Sequence, residues 1–268
     1  MKIVLLSGSH PRHYYVANTL LENGLLHGHM IEEREAFVPA PPEGLEPIDR
    51  ENFIRHFRER EEAEYAFFGE HKKVLGDIPT LVIHQSELNG EKMLQWLQEQ
   101  QPDVVLTYGV HKIDDHVIDR LPDYAWNIHG GLSPWYRGNI TLFWPFYMLR
   151  PNWAGMTIHR LTSKLDGGDI VHHSVPKLEY GDGIHDVACK AVKKVAADLV
   201  EILKRLQSGK VPNYVPQKSN GKLFVATDWT PQHLRLIYQT FHNDIVDHYL
   251  DGKLGHVEPK LVNALAEQ

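Results

Sequence analysis

The sequence has few of the features that mark secreted, membrane-bound or nucleic-acid-binding proteins. Its single cysteine, Cys189, excludes an internal disulfide framework and a thiolate metal site. No apolar run approaches the ~18 residues of a membrane span, and the first run, "KIVLLSG", is too short for a signal peptide. The net charge of −7 is atypical of a protein that grips a phosphate backbone. We therefore expect a cytoplasmic protein that has neither membrane nor nucleic acid as its partner.

Short apolar runs alternate with amphipathic segments along most of the chain. The run "KIVLLSG" is rich in branched residues and ends in glycine, which is typical of a buried parallel strand. Apolar positions at helical spacing follow it and stop at Gly24. Because this alternation recurs, the pattern predicts an α/β domain with a mostly parallel sheet. The predicted strands are residues 2–8, 79–85, 103–109 and 124–130, and the predicted helices are residues 13–24, 49–75, 89–103 and 111–122.

The remaining segments are less regular. The run 139–150 predicts a buried helix, 154–178 predicts two strands around a polar loop, and 183–209 predicts a long amphipathic helix. Turn residues are dense in "GKVPNYVPQKSNGK", which predicts a boundary near Gly209. A further helix is predicted to begin at Thr230, because proline follows it. We expect a main domain at residues 1–209 and a small C-terminal extension at residues 210–268.

A candidate reaction site lies in "WNIHGGLSPWYRG", at the carboxyl end of a predicted strand. Ligands of open parallel sheets bind at that end, and Asn127 and His129 are two residues apart, hence on one face. An amide can stabilise the oxyanion of a carbonyl under attack, while an imidazole can move protons. Gly130 and Gly131 let the backbone turn away from the sheet sharply. With 18 histidines in the chain, an ordinary turn containing a histidine remains an alternative.

A carboxylate that could orient this imidazole occurs later, in "KLDGGDIVHH". Asp166 and Asp169 flank two glycines in a predicted loop between strands. A neighbouring carboxylate is expected to hold the imidazole of His129 and to raise its pKa. The alternative is an aspartate that merely satisfies the backbone amides of a β-turn.

Together, "NIH", "LSPWYRG", "TIHRL" and "LDGGDI" resemble the formyltransferase family that uses 10-formyltetrahydrofolate. The resemblance implies a Rossmann-like domain and a catalytic trio of Asn127, His129 and Asp166, with Asp169 secondary. The chain departs from relatives in "HGGLSP" and in its His111-Lys112 pair. By resemblance, the formyl donor, 10-formyltetrahydrofolate, would contact Tyr108, Gly109, Val110, His111, Lys112, Gly131, Leu132, Ser133, Pro134, Leu161 and Leu165.

The resemblance also implies N-formylation of a primary amine, for which a nucleotide-linked amino sugar is the favoured small-molecule acceptor. Relatives that formylate methionyl-tRNA carry a longer, basic C-terminal domain, and those acting on glycinamide ribonucleotide carry a different loop after the first strand. Both acceptors, an amino acid, and water (which would make the chain a formyltetrahydrofolate hydrolase) stay open as alternatives. The candidate acceptor-binding residues are Ser9, His10, Arg12, Trp135 and Arg137.

Three further alternatives rest on the residues alone. In a non-catalytic ligand-binding protein, Asn127 and His129 would only satisfy backbone groups. Two histidine pairs, at 10 and 13 and at 172 and 173, leave a metal enzyme conceivable, but no metal-binding motif accompanies them, so we expect no metal. The segment "DWTPQHLRLIYQTF" either packs over the site or forms a homodimer.

Overall fold

The computed structural model describes residues 1–69, 76–218 and 221–266. Its centre is a seven-stranded sheet in the order β3-β2-β1-β4-β5-β7-β8. Neighbours among the first five strands run parallel, whereas β7 is antiparallel to both β5 and β8. The strands are β1 (Ile3–Ser7), β2 (Leu26–Glu32), β3 (Thr80–Ile83), β4 (Val104–Tyr108), β5 (Tyr124–His129), β6 (Tyr136–Gly138), β7 (Met156–Arg160), β8 (Ile170–Ser174) and β9 (Lys222–Phe224).

Helices cover both faces of the sheet, so successive side chains of β1 enter apolar cores on opposite faces. Ile3 and Leu5 pack into the core on one face, while Val4 and Leu6 pack into the core on the other. Both faces are buried, so the strands need continuous apolar runs rather than alternating ones. The helices are α1 (Pro11–Glu22), α2 (Pro47–Phe68), α3 (Glu91–Gln100), α4 (Asp115–Ile118), α5 (Trp144–Tyr147), α6 (Ile184–Gln207) and α7 (Ile245–Leu250).

The predicted α/β class with a mostly parallel sheet is confirmed, and the structure corrects the order of the strands. The second strand is Leu26–Glu32, whose histidines and glycine interrupt the apolar run by which buried strands are found. The segment predicted as a second buried strand is instead the sheet's edge, where Val82 is 49% exposed. The predicted helix 49–75 spans Pro47–Phe68, and residues 70–75 lie outside the described residues.

A second apolar core is built largely from irregular segments. The predicted helix 139–150 contains only the single turn of α5, because Ile140 and Leu149 have φ of 58° and 54° and interrupt a helix. After Thr230 come a short 3₁₀ turn, a π-helical turn and α7 rather than one helix. Ile237 and Val246 from this region pack into the same core as Leu132. Among the described residues, no helix is both long and apolar enough to cross a bilayer.

Candidate active site

Three side chains from separate segments meet at the carboxyl end of β5. Asn127 and His129 end β5, and Asp166 lies in the loop between β7 and β8. Because β7 pairs with β5, that loop returns to the end of β5. Asn127 Nδ2 is 3.3 Å and His129 Nδ1 is 3.4 Å from the same oxygen, Oδ1 of Asp166. The structure therefore brings together the three residues that the sequence predicts as a catalytic trio.

The amide of Asn127 has a defined orientation. On β4, Thr107 is paired with Asn127, and its hydroxyl donates to Asn127 Oδ1 at 2.7 Å. The amide nitrogen is thereby directed toward Asp166 and toward His159 Nε2, which is 3.1 Å away. Thr107 is fully buried and Asn127 is half-buried. A donor held in advance by its neighbours can stabilise developing negative charge without reorganising.

His159 lies beside the trio as a fourth polar side chain, which was not predicted from the sequence. It faces Asn127 across the β5–β7 pairing, and its Nε2 is 3.5 Å from Asp166 Oδ1. Its Nδ1–H donates to the carbonyl of Arg160 at 2.8 Å, so Nε2 faces the site. The available signal was "TIHR": a histidine in a predicted strand, leading into the loop that carries the candidate aspartate.

His129 is fixed by a carbonyl and is 6% exposed. Its Nε2–H donates to the carbonyl of Tyr136 at 2.8 Å, which leaves Nδ1 toward Asp166. Burial lowers the pKa of His129, and this effect exceeds the opposing attraction of Asp166. The predicted rise in the pKa of His129 is therefore wrong, because the cost of charging a buried imidazole outweighs one neighbouring carboxylate.

Asp166 is held by groups on both of its carboxylate oxygens. Its Oδ2 accepts from the backbone N–H of Gly138 at 2.8 Å, and its own backbone is left-handed, with φ of 47°. Burial alone would raise the pKa of Asp166, but His129, His159 and the Gly138 N–H lower it to about 2. The carboxylate is thus ionised at neutral pH.

The residues expected beside the formyl donor divide into two groups. Val110 and Leu161, both half-buried, pack on the same apolar cluster near the ends of β4 and β7. Tyr108 is buried with its ring edge against His13, 4.7 Å between centroids, and Gly109 has φ of 67°. The other members face elsewhere: the ring of His111 binds the buried carboxylate of Glu32, the carbonyl of Lys112 accepts from Asn89, and the side chain of Leu165 is exposed.

The loop after His129 packs tightly against the site. A Cβ at Gly131 would lie 2.8 Å from His129 Nε2, so glycine is required for this approach. Leu132 is fully buried in the second core, and the N–H of Ser133 donates to Thr157 at 2.9 Å. Pro134 lines a cavity of about 610 Å³ on the far side of the loop.

The candidate acceptor residues near α1 are already engaged with one another. Arg12 forms an ion pair with Glu64 of α2 at 2.6 Å, and its backbone N–H also donates to that carboxylate. The N-terminus of α1 thus binds the chain's own carboxylate. His10 Nδ1 accepts from Arg12 at 2.9 Å, and the hydroxyl of Ser9 accepts from the N–H of Arg34 at 2.9 Å.

The two remaining acceptor candidates lie on the loop and strand that follow His129. Trp135 is half-buried, with its ring edge on Trp153 at 5.1 Å, and it lines the same cavity as Pro134. Arg137 of β6 donates to the carbonyl of Gly221 at 3.2 Å. Trp135 and Arg137 therefore contact other parts of the fold than Arg12, whose partner is Glu64 of α2.

The histidine pairs that suggested a metal have other partners. His13 accepts from the backbone of His10, while His172 binds Asp198 at 3.1 Å and His173 donates to the carbonyl of Ser133. Within residues 1–69, 76–218 and 221–266, no three His, Cys, Asp or Glu side chains converge as metal ligands.

Comparison with known proteins identifies the family. Residues 57–203, more than half of the chain, match the family model described as formyl transferase. The chain belongs to the formyl transferase family. The predicted membership of this family, and with it the prediction that the chain is an enzyme, are thereby confirmed.

Solved formyl transferases share the fold at low sequence identity. The phosphoribosylglycinamide formyltransferase from Anaplasma phagocytophilum is 18% identical, with a TM-score of 0.54 over 84% of this chain and 96% of that one. The formyltransferase PseJ from Anoxybacillus kamchatkensis, in complex with UDP-4,6-dideoxy-4-formamido-L-AltNAc and tetrahydrofolate, is 18% identical, with a TM-score of 0.52 over 91% and 96%. The N-formyltransferase from Helicobacter canadensis, with folinic acid and dTDP-3-aminofucose, is 11% identical, with a TM-score of 0.53 over 86% and 73%.

Proposed function

We propose that this formyltransferase moves a formyl group from 10-formyltetrahydrofolate to the primary amine of a nucleotide-linked amino sugar. The observation that carries the proposal is the convergence of Asn127 and His129 on one carboxylate oxygen of Asp166, at 3.3 and 3.4 Å. An amide donor, a buried imidazole and an ionised carboxylate at a strand end suit acyl transfer to an amine.

The proposed reaction forms one C–N bond and breaks another. The neutral amine attacks the formyl carbon, and the formyl oxygen becomes an oxyanion. Asn127 Nδ2 stabilises this oxyanion with the N–H that points to Asp166 Oδ1 when no substrate is bound. His129 accepts the proton of the resulting ammonium at Nδ1, because its Nε2–H is committed to the carbonyl of Tyr136. The negative charge of Asp166 stabilises the imidazolium that forms. The proton then passes to N10 as the bond from N10 to the formyl carbon breaks.

The residues near the ends of β4 and β7 fit the formyl donor. Val110, Leu161, Ile118 and Leu121 are half-buried apolar side chains that share one cluster and so leave part of their apolar surface uncovered. Pterin rings are flat, with faces that suit apolar walls and a polar edge that suits hydrogen-bonding groups, and ligand sites commonly combine both. Gly109, with φ of 67°, gives the adjoining backbone a left-handed turn that brings it past His13.

Three arginines near His10, namely Arg12, Arg34 and Arg60, support an anionic acceptor. The guanidinium of Arg60 lies 4.7 Å from the ring of Phe37 and 4.6 Å from the ring of Phe57, and its Nε has no hydrogen-bond partner within the described chain. Burial and the nearby Arg12 lower the pKa of Arg60 to about 10. A partly buried cation of this kind is stabilised by a ligand anion, such as a nucleotide diphosphate.

Two solved relatives of the same fold agree with this class of acceptor. One was solved with a UDP-linked formamido sugar and tetrahydrofolate, the other with folinic acid and dTDP-3-aminofucose. The acceptor differs in a third relative, a phosphoribosylglycinamide formyltransferase. The common chemistry of these acceptors is an amine on a phosphorylated sugar.

The test is to incubate the protein with 10-formyltetrahydrofolate and a panel of UDP- and dTDP-linked amino sugars, with glycinamide ribonucleotide alongside. We expect at least one nucleotide sugar to gain the mass of one carbonyl group. Arg60→Gln should raise the KM for that sugar, whereas Arg58→Gln, an exposed arginine on the same helix, should not. Release of formate without any formylated amine would contradict the proposal and indicate hydrolysis.

A further inference from the structure

The loop that carries Asp166 is bound by a residue from beyond the family-matched part of the chain. The match ends at residue 203, and Gln217 lies in the turn-rich segment that follows. Its side-chain Nε2 donates to the backbone carbonyl of Asp166 at 2.8 Å and to that of Gly168 at 2.6 Å. One amide group therefore holds both ends of the short turn that presents the carboxylate.

The turn needs these hydrogen bonds, because its backbone conformation is uncommon. Asp166 has φ of 47°, a region that residues other than glycine rarely adopt. A Cβ at Gly168 would overlap the carbonyl oxygen of Arg160, so the turn is also pressed against the end of β7. Carbonyls freed by such a turn need donors, and Gln217 supplies them.

The segment around Gln217 is itself fixed to the sheet and to β6. Val215 exchanges two backbone hydrogen bonds with Ile170 of β8, at 2.8 and 2.9 Å. Further on, β9 pairs with β6, which carries the Gly138 N–H that donates to Asp166 Oδ2. Both the backbone and the carboxylate of Asp166 are thus held by structure that depends on Val215, Gln217 and β9.

We propose that Gln217 is a positioning residue for the transfer reaction, which holds the Asp166 turn so that its carboxylate meets His129 and Asn127. This inference rests on the proposed role of the trio. Gln217 and β9 then complete the catalytic centre and are not merely part of an appended extension. Because Gln217 donates to backbone carbonyls of the turn, its loss moves the carboxylate without removing any reacting group.

The test uses Gln217→Met, which preserves the length of the side chain and removes both donors, with Gln95→Met on the exposed face of α3 as the matched control. We expect Gln217→Met to lower kcat by ~10–10²-fold, the effect of a small misplacement of a catalytic group, with the KM values for both substrates within about twofold of wild type. Hydrogen exchange should accelerate in residues 161–169 and remain unchanged in β1. The Gln95 variant should match wild type in each measurement.

A second variant separates positioning from folding. Gln217→Glu keeps the size but adds a carboxylate near Asp166, so the acidic limb of the kcat profile should move to higher pH as well as kcat falling. An unchanged kcat in both variants, or faster exchange of the turn without loss of kcat, would overturn the proposal. If the wild-type protein formylates no amine, the proposed function fails, while hydrogen exchange still decides whether Gln217 holds the turn.

Discussion

Two buried histidine–aspartate pairs in this protein share most of their chemistry and differ in what surrounds them. In the first, His129 lies 3.4 Å from Asp166 at the end of β5. In the second, His172 lies 3.1 Å from Asp198 between β8 and α6. The pKa of each aspartate is about 2, since burial raises it but neighbouring hydrogen bonds and charges lower it further.

The second pair is fully satisfied. Asp198 also accepts from Ser174 at 2.7 Å and binds Lys194, and His172 Nδ1 accepts from the backbone N–H of Ala264 at 3.1 Å. Both carboxylate oxygens of Asp198 and both ring nitrogens of His172 thus have partners within the fold. The first pair meets a half-buried amide, Asn127, at the strand end where ligands of such sheets bind. Location at the strand end and a partly exposed amide beside the pair, rather than the histidine–aspartate pair itself, distinguish the candidate reaction site from the structural contact.

The largest expected difference between the pairs is in catalysis. His129→Asn should reduce the single-turnover rate of formyl transfer by at least ~10²–10³-fold, comparable to the loss of one preorganised catalytic group. The fold should be retained, because asparagine fits within the volume of the imidazole that it replaces. Rapid-quench measurement of the formylated amine, with circular dichroism as the folding control, checks this. A rate near that of wild type would exclude His129 from the reaction.

The structural pair should respond in stability. His172→Gln removes the ring that joins Asp198 to the backbone of Ala264, and we expect unfolding free energy to fall by about 1–3 kcal/mol, the cost of leaving buried partners unpaired. The transfer rate at 25 °C should stay within about twofold of wild type. Urea titration and the same rapid-quench assay measure the two quantities. A large loss of rate in a folded variant would contradict the distinction drawn between the pairs.

Both aspartates should contribute similarly to acid sensitivity. Their pKa values fall from 3.8 to about 2 on folding, so each stabilises the protein above pH ~4 and loses this contribution as pH falls toward 2. Each contribution is about 2 kcal/mol. Asp166→Asn and Asp198→Asn should therefore each flatten the acid limb of unfolding free energy against pH. An effect from only one of them would show that the electrostatics of the pairs differ.

The smallest expected effect concerns the orientation of Asn127. Thr107→Val keeps the shape of the side chain but removes the hydroxyl that donates to Asn127 Oδ1. We expect the transfer rate to fall ~5-fold, in line with one lost hydrogen bond of about 1 kcal/mol. Thr80→Val, on the exposed edge strand β3, is the matched control and should leave the rate unchanged. Equal rates in the two variants would mean that the Thr107 bond does not set the amide.

The strands near the site are predictable because they depend on local patterns, and the trio is implied by the family resemblance. Apolar runs that end in polar residues mark β4 and β5, and Asp166 lies in an evident turn. Interactions between distant segments were not predictable in this way. The attraction of the Asp166 carboxylate was expected to raise the pKa of His129. Burial, which is a property of the assembled fold, lowers that pKa by more.

The same limit explains the residues that were missed. His159 reaches the site through the pairing of β7 with β5. Gln217 reaches Asp166 from a loop that follows α6 in the chain. Arg12, an apparent phosphate ligand in the loop after β1, binds Glu64 of α2 instead. None of these partners lies near the other in sequence, so no local spacing indicates them.

The most direct test of the account is formyl transfer by wild-type protein and Asn127→Leu, measured as the mass of a UDP- or dTDP-linked amino sugar incubated with 10-formyltetrahydrofolate. We predict that wild type adds one carbonyl group to the amine, and that Asn127→Leu, which removes the amide donor at nearly constant volume, does so ~10²–10³-fold more slowly. An undiminished rate in Asn127→Leu, or free formate as the only product of both proteins, would contradict the assignment of this strand end as the site of transfer.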